Sequence, residues 1–309
     1  MMRTQSAFMR FVFIFISVAC YNFNIKCNVS YGQSVLQEPI HFNLSDSHLM
    51  GGFAVGVQAF TFNYYTVFEA IEMTARAGGR VIELYPGQAL GKGENGEKFN
   101  HETSDELINR VKKHITDHDL ILVNYGVVGL PNNRTELRKI FEFAKKLGVK
   151  AITSEPSPEA MDLIEEMVKE YDIAMAIHNH PPRKNNDDYK HWNPEFVLSL
   201  VEGRDPRIGI SADIGHYIRS GIDPVDTLQL LEGRIISLHF TDVTEWGSQG
   251  KDTVAGTGVA NLSAVLNELK RQKFGGNISI EFETNWNDNI TDVARFIGYI
   301  KGWADANNF

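Results

Sequence analysis

His239, Asp242 and Glu281 stand at the ends of two short β-branched runs, IISLHFTD and NISIEFE, and a third run, IGISADIGH, ends in Asp213 and His216. Imidazoles and carboxylates are divalent-metal donors, and three strands that deliver them from their carboxyl ends point to one metal site on the rim of a parallel barrel. Neighbouring runs end in similar groups. IAMAIHNH carries His178 and His180 on one face and Asn179 on the other, TSEP carries Glu155, and IELYPG carries Glu83. Glu281 and Glu283 also share a side, because strand side chains alternate with period two.

Each of these residues also has a purely structural explanation. Asp213 could cap the turn that follows it, but with His216 three residues on it also makes a metal-plus-substrate pair. A histidine in an apolar strand is commonly a satisfied core residue, and the strand-end position of His239 argues instead for a ligand. His178 is the candidate fourth ligand and His180 a substrate contact or acid/base; Glu155 could replace His178 as donor or serve as a charge at a helix N-terminus. Glu83 and Glu283 are candidate substrate contacts, with barrel wall and solvent as the alternatives.

Positioning these groups requires eight strands, and eight runs suit the role: FAVGVQAF, RVIELY, LILVNYG, KAITSEP, IAMAIHNH, IGISADIGH, IISLHFTD and NISIEFETN. Several are apolar throughout, as when both faces of a parallel strand are covered. Amphipathic stretches separate them. Thr103 with Glu106 has the spacing of a capping box and Asn133 with Glu136 repeats it, while Gly78-Gly79, Gly148 and Gly275-Gly276 stand where left-handed residues end helices. The punctuation predicts α/β architecture, a single (β/α)8 TIM barrel over 51–309, a length close to the roughly 250 residues the fold needs. A doubly wound open sheet would bind its ligand at a topological switch point, and no Gly-rich phosphate loop supports it.

Arg3 and Arg10 precede the apolar run FVFIFISVAC, the pattern of a signal peptide rather than a spanning helix. Residues 1–32 are therefore an expected leader and 33–50 a polar tether, giving an exported, periplasmic protein. Cys20 follows Ser17-Val18-Ala19 in a relaxed lipobox, so the alternative is a lipid anchor at the membrane. Cys20 and Cys27, the two cysteines of the chain, both fall before the barrel, which excludes thiolate and cysteine-nucleophile chemistry there. A net charge of −9 gives no footprint for nucleic acid as a partner.

The motifs IHNHP, DPRIGISADIGHYIRSGIDPVDTLQLLEGRIISLHFTDV, GTGVANLSAVLNELK and ISIEFE resemble the xylose-isomerase-like superfamily, above all its exported bacterial sugar phosphate isomerase/epimerase branch. The resemblance runs from Gly52 to Trp303. It implies one divalent ion (Mn2+, Zn2+, Mg2+ or Co2+) held at the ends of strands five to eight, with Asp213, His239 and Glu281 in the last three positions. Strand five departs from the pattern. Where relatives have Glu in a Glu-Asn-His triplet, this chain has His178-Asn179-His180, which puts a two-carboxylate proton relay in doubt.

The chemistry implied is proton abstraction beside a metal-polarised carbonyl of a keto- or aldo-sugar, with His178, His180 and Glu281 as candidate catalytic groups. Isomerisation, epimerisation and dehydration all start there, while the same metal polarising water could instead drive hydration or cleavage of a keto-sugar. A non-catalytic sugar-binding barrel and an endonuclease IV-like phosphodiesterase are the alternatives. Phe60, Phe62, Tyr85, Tyr125, Trp192 and Trp246 lie near strand ends, and about two are expected to touch a carbohydrate. The glycine-rich loop TEWGSQGKDTVAGTGV has the composition of a movable lid, in which Lys251 could reach an anionic group. Nothing in the chain rules out a homo-oligomer. Mass spectrometry of native material should find an N-terminus beyond Ala19, with Cys20 acylated only on the lipoprotein route; an intact Met1 would refute export.

Overall fold

Short apolar runs with both faces covered become strands, and the structure, a computed structural model, describes residues 40–91 and 96–308. The elements are β1 (Ala54–Gln58), α1 (Val67–Ala77), β2 (Val81–Leu84), α2 (Asp105–Asp117), β3 (Ile121–Tyr125), α3 (Arg134–Leu147), β4 (Ala151–Ser154), α4 (Met161–Tyr171) and β5 (Ala174–His178). There follow α5 (Pro194–Val201), β6 (Ile208–Asp213), α6 (Ile214–Arg219), α7 (Pro224–Leu230), β7 (Ile235–Phe240), β8 (Asp242–Val243), β9 (Asp252–Thr253), α8 (Leu262–Arg271), β10 (Asn277–Ile280) and α9 (Ile290–Ala306). Strands β1 to β7 pair in parallel in chain order, and β10 closes the barrel between β7 and β1. The short β8–β9 hairpin stands outside it. The expected leader, Cys20, Cys27 and residues 33–39 lie outside the described residues.

The helices bury one stripe each. In α3, Leu137, Ile140, Phe141, Ala144 and Leu147 recur every three or four residues and face the strands, while Asn133 caps the helix by accepting the Thr135 and Glu136 N–H groups. The capping expected at Thr103 is corrected by one residue: Ser104 has the extended backbone of an N-cap and accepts from the Leu107 N–H. A capping box does occur, between Thr66 and Glu69 at the start of α1. Gly78 and Gly148 end their helices at φ 97° and 80°, whereas Gly275 and Gly276 do not end α8. Lys273 takes the positive φ there, and the two glycines serve close approach, a Cβ on Gly276 falling 1.8 Å from the Ile236 carbonyl oxygen.

Residues 40–50, which the sequence reading assigned to a tether, pack on the amino-terminal end of the barrel. Phe42 is buried among Ala54, Val81, Val123, Ala151, Ala174, Ala176 and Ile236, and its N–H donates to Gly275 O at 2.9 Å. Four alanines in that layer leave the volume the phenyl ring fills. Ile40, Phe42 and Leu44 alternate with polar residues, a period-two signal too short to stand out in a polar stretch, and Ile40 and Leu44 pack beside the ring.

Gly56 marks the tightest strand contact, since a Cβ there would sit 1.7 Å from the carbonyl oxygen of Val81 on β2. The obstructing atoms are Val81 backbone held in the β1–β2 pairing, which cannot yield. Gly56→Ala should therefore cost at least about 3 kcal/mol in chemical denaturation. Gly298→Ala, on an exposed face of α9 with open space around it, should instead stabilise by about 0.5–1 kcal/mol. A neutral Gly56→Ala would show that the barrel is looser than this packing.

Candidate metal centre

Strand ends β5, β6, β7 and β10 bring His178, Asp213, His239 and Glu281 together, each offering one donor atom within 4.8 Å of the others. His239 is at the centre, fully buried, with Nδ1 2.7 Å from Glu281 Oε2 and 3.8 Å from Asp213 Oδ2. His178 Nε2 lies 3.1 Å from the same Nδ1 and 3.9 Å from Asp213 Oδ2. Asp213 has its other oxygen engaged, accepting the His216 N–H at 2.7 Å as the N-cap of α6. Its place is fixed further by Asn179, which exchanges two hydrogen bonds with the Asp213 main chain.

Each imidazole is also held from behind. His239 Nε2–H donates to Glu83 Oε2 at 3.1 Å, and Thr153 donates to the other Glu83 oxygen at 2.9 Å. Glu83 is completely buried, so the expectation that it touches substrate is corrected: it orients the ring. His178 Nδ1 faces Glu155 Oε1 at 3.5 Å. Carboxylates behind ligating histidines set the tautomer and raise donor basicity.

Titration behaviour reflects this crowding of charge. Burial opposes protonation of His239, but Glu281 and Glu83 raise its pKa well above the ordinary value. A proton on His239 thus holds position among carboxylates that a cation would also neutralise. His178 is lowered by burial, and His216 is lowered further by burial and by His180 and His178. Neutral imidazole is the metal-binding form. The donor set, two imidazoles and two carboxylates of which three side chains are buried, fits one divalent ion.

A second group lies beside the first. His180 pairs closely with Glu155, which also accepts from Tyr189 OH at 2.6 Å and Arg183 at 2.6 Å. Burial would raise Glu155, but the neighbouring imidazoles of His178 and His180 hold it well below the carboxylate range. Glu155 is thus an anion that orients two histidines rather than a residue at a helix start. The His216 ring stands 4.8 Å from that of His180 and accepts a hydrogen bond from Arg219. Tyr189, Arg183 and Arg219 were not singled out by sequence, since their segments carry no strand-end signal.

The remaining expected residues divide. Asp242 is not a ligand: its carboxylate accepts the N–H groups of Val243, Gly258 and Ala260 and organises the loop after β7. That loop is also tied by the Arg219–Asp252 pair, and Asp252 accepts the Glu283 N–H at 2.6 Å, so the glycine-rich segment is fastened rather than free. Glu283 is exposed on the rim. Lys251 is exposed and joined to Thr244 through its main chain. Phe62 and Tyr125 are core residues, Trp192 donates to Tyr189 O, and Trp246 faces solvent. Phe60 and Tyr85 meet edge to face at 5.1 Å and continue into Trp286 and Tyr64, an aromatic wall from the neighbouring ends of β1, β2 and β10.

The sequence profile described as a xylose isomerase-like TIM barrel matches residues 71–300. The crystal structure of an uncharacterised protein from Parabacteroides distasonis is 33% identical, with 81% of this chain and 99% of that one covered and a TM-score of 0.66. A D-allulose 3-epimerase from Methylomonas sp. is 15% identical over 81% and 97% of the two chains (TM-score 0.62). A probable 3-DHS dehydratase from Bacillus anthracis is 15% identical over 79% and 97% (TM-score 0.59). The last two share the fold. No curated protein matches the sequence significantly.

Asp213→Asn keeps a capping acceptor for α6 but removes a charge from the donor set, so circular dichroism and melting should change little while divalent-metal affinity falls. Glu83→Gln should also weaken metal binding, by about 10–100-fold, although Glu83 is not a donor. Equilibrium dialysis against Mn2+ and Zn2+ measures both. Undiminished binding in Asp213→Asn would remove that residue from the site.

Proposed function

Because this chain belongs to the xylose isomerase-like TIM-barrel family, we propose that it is a divalent-metal-dependent isomerase or epimerase of a keto- or aldo-sugar. The observation that carries the reading is the convergence of His178, Asp213, His239 and Glu281 within 4.8 Å at the carboxyl rim, beside a polar acid/base group and an aromatic wall. His178, Asp213, His239 and Glu281 would hold the ion. When bound, it supplies Lewis-acid polarisation of a sugar carbonyl and its neighbouring hydroxyl.

The chain's own groups do the rest. Glu281, from the end of β10, and His180, from beyond β5, belong to walls separated by β6 and β7. Glu281 takes the proton from the carbon beside the carbonyl, and His180, held by Glu155 and near Tyr189, returns one to the resulting enediolate. Return on the opposite face at the same carbon gives an epimer; return at the neighbouring carbon gives an isomer. Glu155 supplies the charge that relatives place on strand five, one strand earlier and through the histidines. Phe60, Tyr85 and Trp286 offer apolar faces for the C–H side of a sugar ring.

A second reading rests on the same Glu155–His180–Tyr189 group, whose hydroxyl and imidazole could protonate a departing β-hydroxyl and so turn the site to dehydration or its reverse.

The test is solvent-deuterium incorporation into a panel of keto-sugars and aldo-sugars, with metal, after chelation and after metal is restored. Exchange should appear, vanish on chelation and return with Mn2+ or Co2+. Glu281→Gln should abolish it, and His180→Asn should lower turnover by about 10²–10⁴-fold. A dehydrated product would favour the second reading; exchange that needs no metal would sink both. No exchange and no product with any sugar would turn the assignment toward a sugar-binding barrel.

A further inference from the structure

Away from the barrel mouth, α1 and α2 carry a second group of metal-capable side chains. Glu72 of α1 faces His114 of α2, with Oε1 3.2 Å from Nε2, and His118 follows one turn later as the C-cap of α2. The His114 and His118 rings are 4.4 Å apart, and one donor atom from each of the three residues lies within 4.8 Å of the others. We propose that Glu72, His114 and His118 form a surface site for a borderline transition-metal ion of the Zn2+ class, which clasps α1 to α2.

Three features support the site. Residues four apart on a helix share a face, so the His114–His118 spacing presents two imidazoles side by side. The His118 ring is already set, because Nδ1–H donates to the His114 carbonyl at 2.8 Å and leaves Nε2 as the free donor. His114 is fixed as well, packing edge to face on Phe68 with 5.1 Å between centroids. Neither ring needs much ordering on binding.

Size and charge agree with a small divalent ion. Tetrahedral ligands at zinc's usual bond lengths stand about 3.4 Å apart, close to the 3.2 Å between Glu72 and His114. All three donor atoms already lie within 4.8 Å of one another, and exposed Glu72 can draw closer by a change of rotamer. The site sits at the carboxyl end of α2, where the helix dipole favours a cation. Two imidazoles and a carboxylate, with one position left to water, select Zn2+ and its neighbours over Mg2+ or Ca2+.

The experiment uses full-length Asp213→Asn protein, in which binding at the barrel mouth is weakened, and measures Zn2+ by equilibrium dialysis and by the shift in melting temperature. This protein should still bind about one Zn2+ per chain and melt higher with Zn2+ than with Mg2+. His118→Gln or Glu72→Gln in the same background should weaken that binding by about tenfold or more and abolish the melting shift, since losing a ligand costs at least what losing its orienting partner costs. His118→Gln alone should leave sugar turnover at wild-type level. The proposal is overturned if Asp213→Asn protein takes up no Zn2+ at micromolar concentrations, or if its uptake and melting shift survive both substitutions. Neither result touches the reading of the barrel mouth, which is tested by exchange on sugars.

Discussion

The pairing of Glu83 with His239 across the barrel interior is the contact on which the functional end of this molecule depends. Both side chains are fully buried, one from β2 and one from β7. Removing one partner of a buried ion pair typically costs about 3–5 kcal/mol, because the other charge is left without compensation. That cost ties ring orientation to fold stability. His239 cannot turn away from Asp213, Glu281 and His178 without also abandoning Glu83.

The same logic explains how strand five can do without its carboxylate. Replacing Glu by His178 would leave the donor set one negative charge short if nothing else changed. Glu155, one strand earlier, stands behind His178 and pairs with His180, so the charge is displaced outward rather than lost. His178 and His180 hold Glu155 in its ionised form, and Arg183 and Tyr189 fix its orientation by hydrogen bonds. On the proposed reading, the rim would keep its electrostatic balance while its proton-carrying group moved from a ligand to a neighbouring imidazole.

Much of this was legible in the sequence, for identifiable reasons. Strands covered on both faces leave uninterrupted apolar runs, and the barrel emerged from eight of them. Strand ends then selected His178, Asp213, His239 and Glu281. The roles of Glu83 and Asp242 were not legible: each ends a strand as Asp213 does, and what separates them is the partner each meets in space. Glu83 meets an imidazole 156 residues away, whereas Asp242 turns back onto its own loop. Phe42 was hidden for the same kind of reason, since its seat is a layer of alanines, valines and one isoleucine drawn from six strands.

Asp242 has a consequence for selectivity. One carboxylate gathering three backbone N–H groups means that the loop after β7 is already in shape when a ligand arrives. A wall built in advance surrenders little conformational freedom on contact, so discrimination between sugars would come from the outline of a fixed opening rather than from closure around the right one. Loops that close on the correct ligand can trade turnover for accuracy; on the proposed reading, a mouth of this kind would admit several related sugars and separate them by fit.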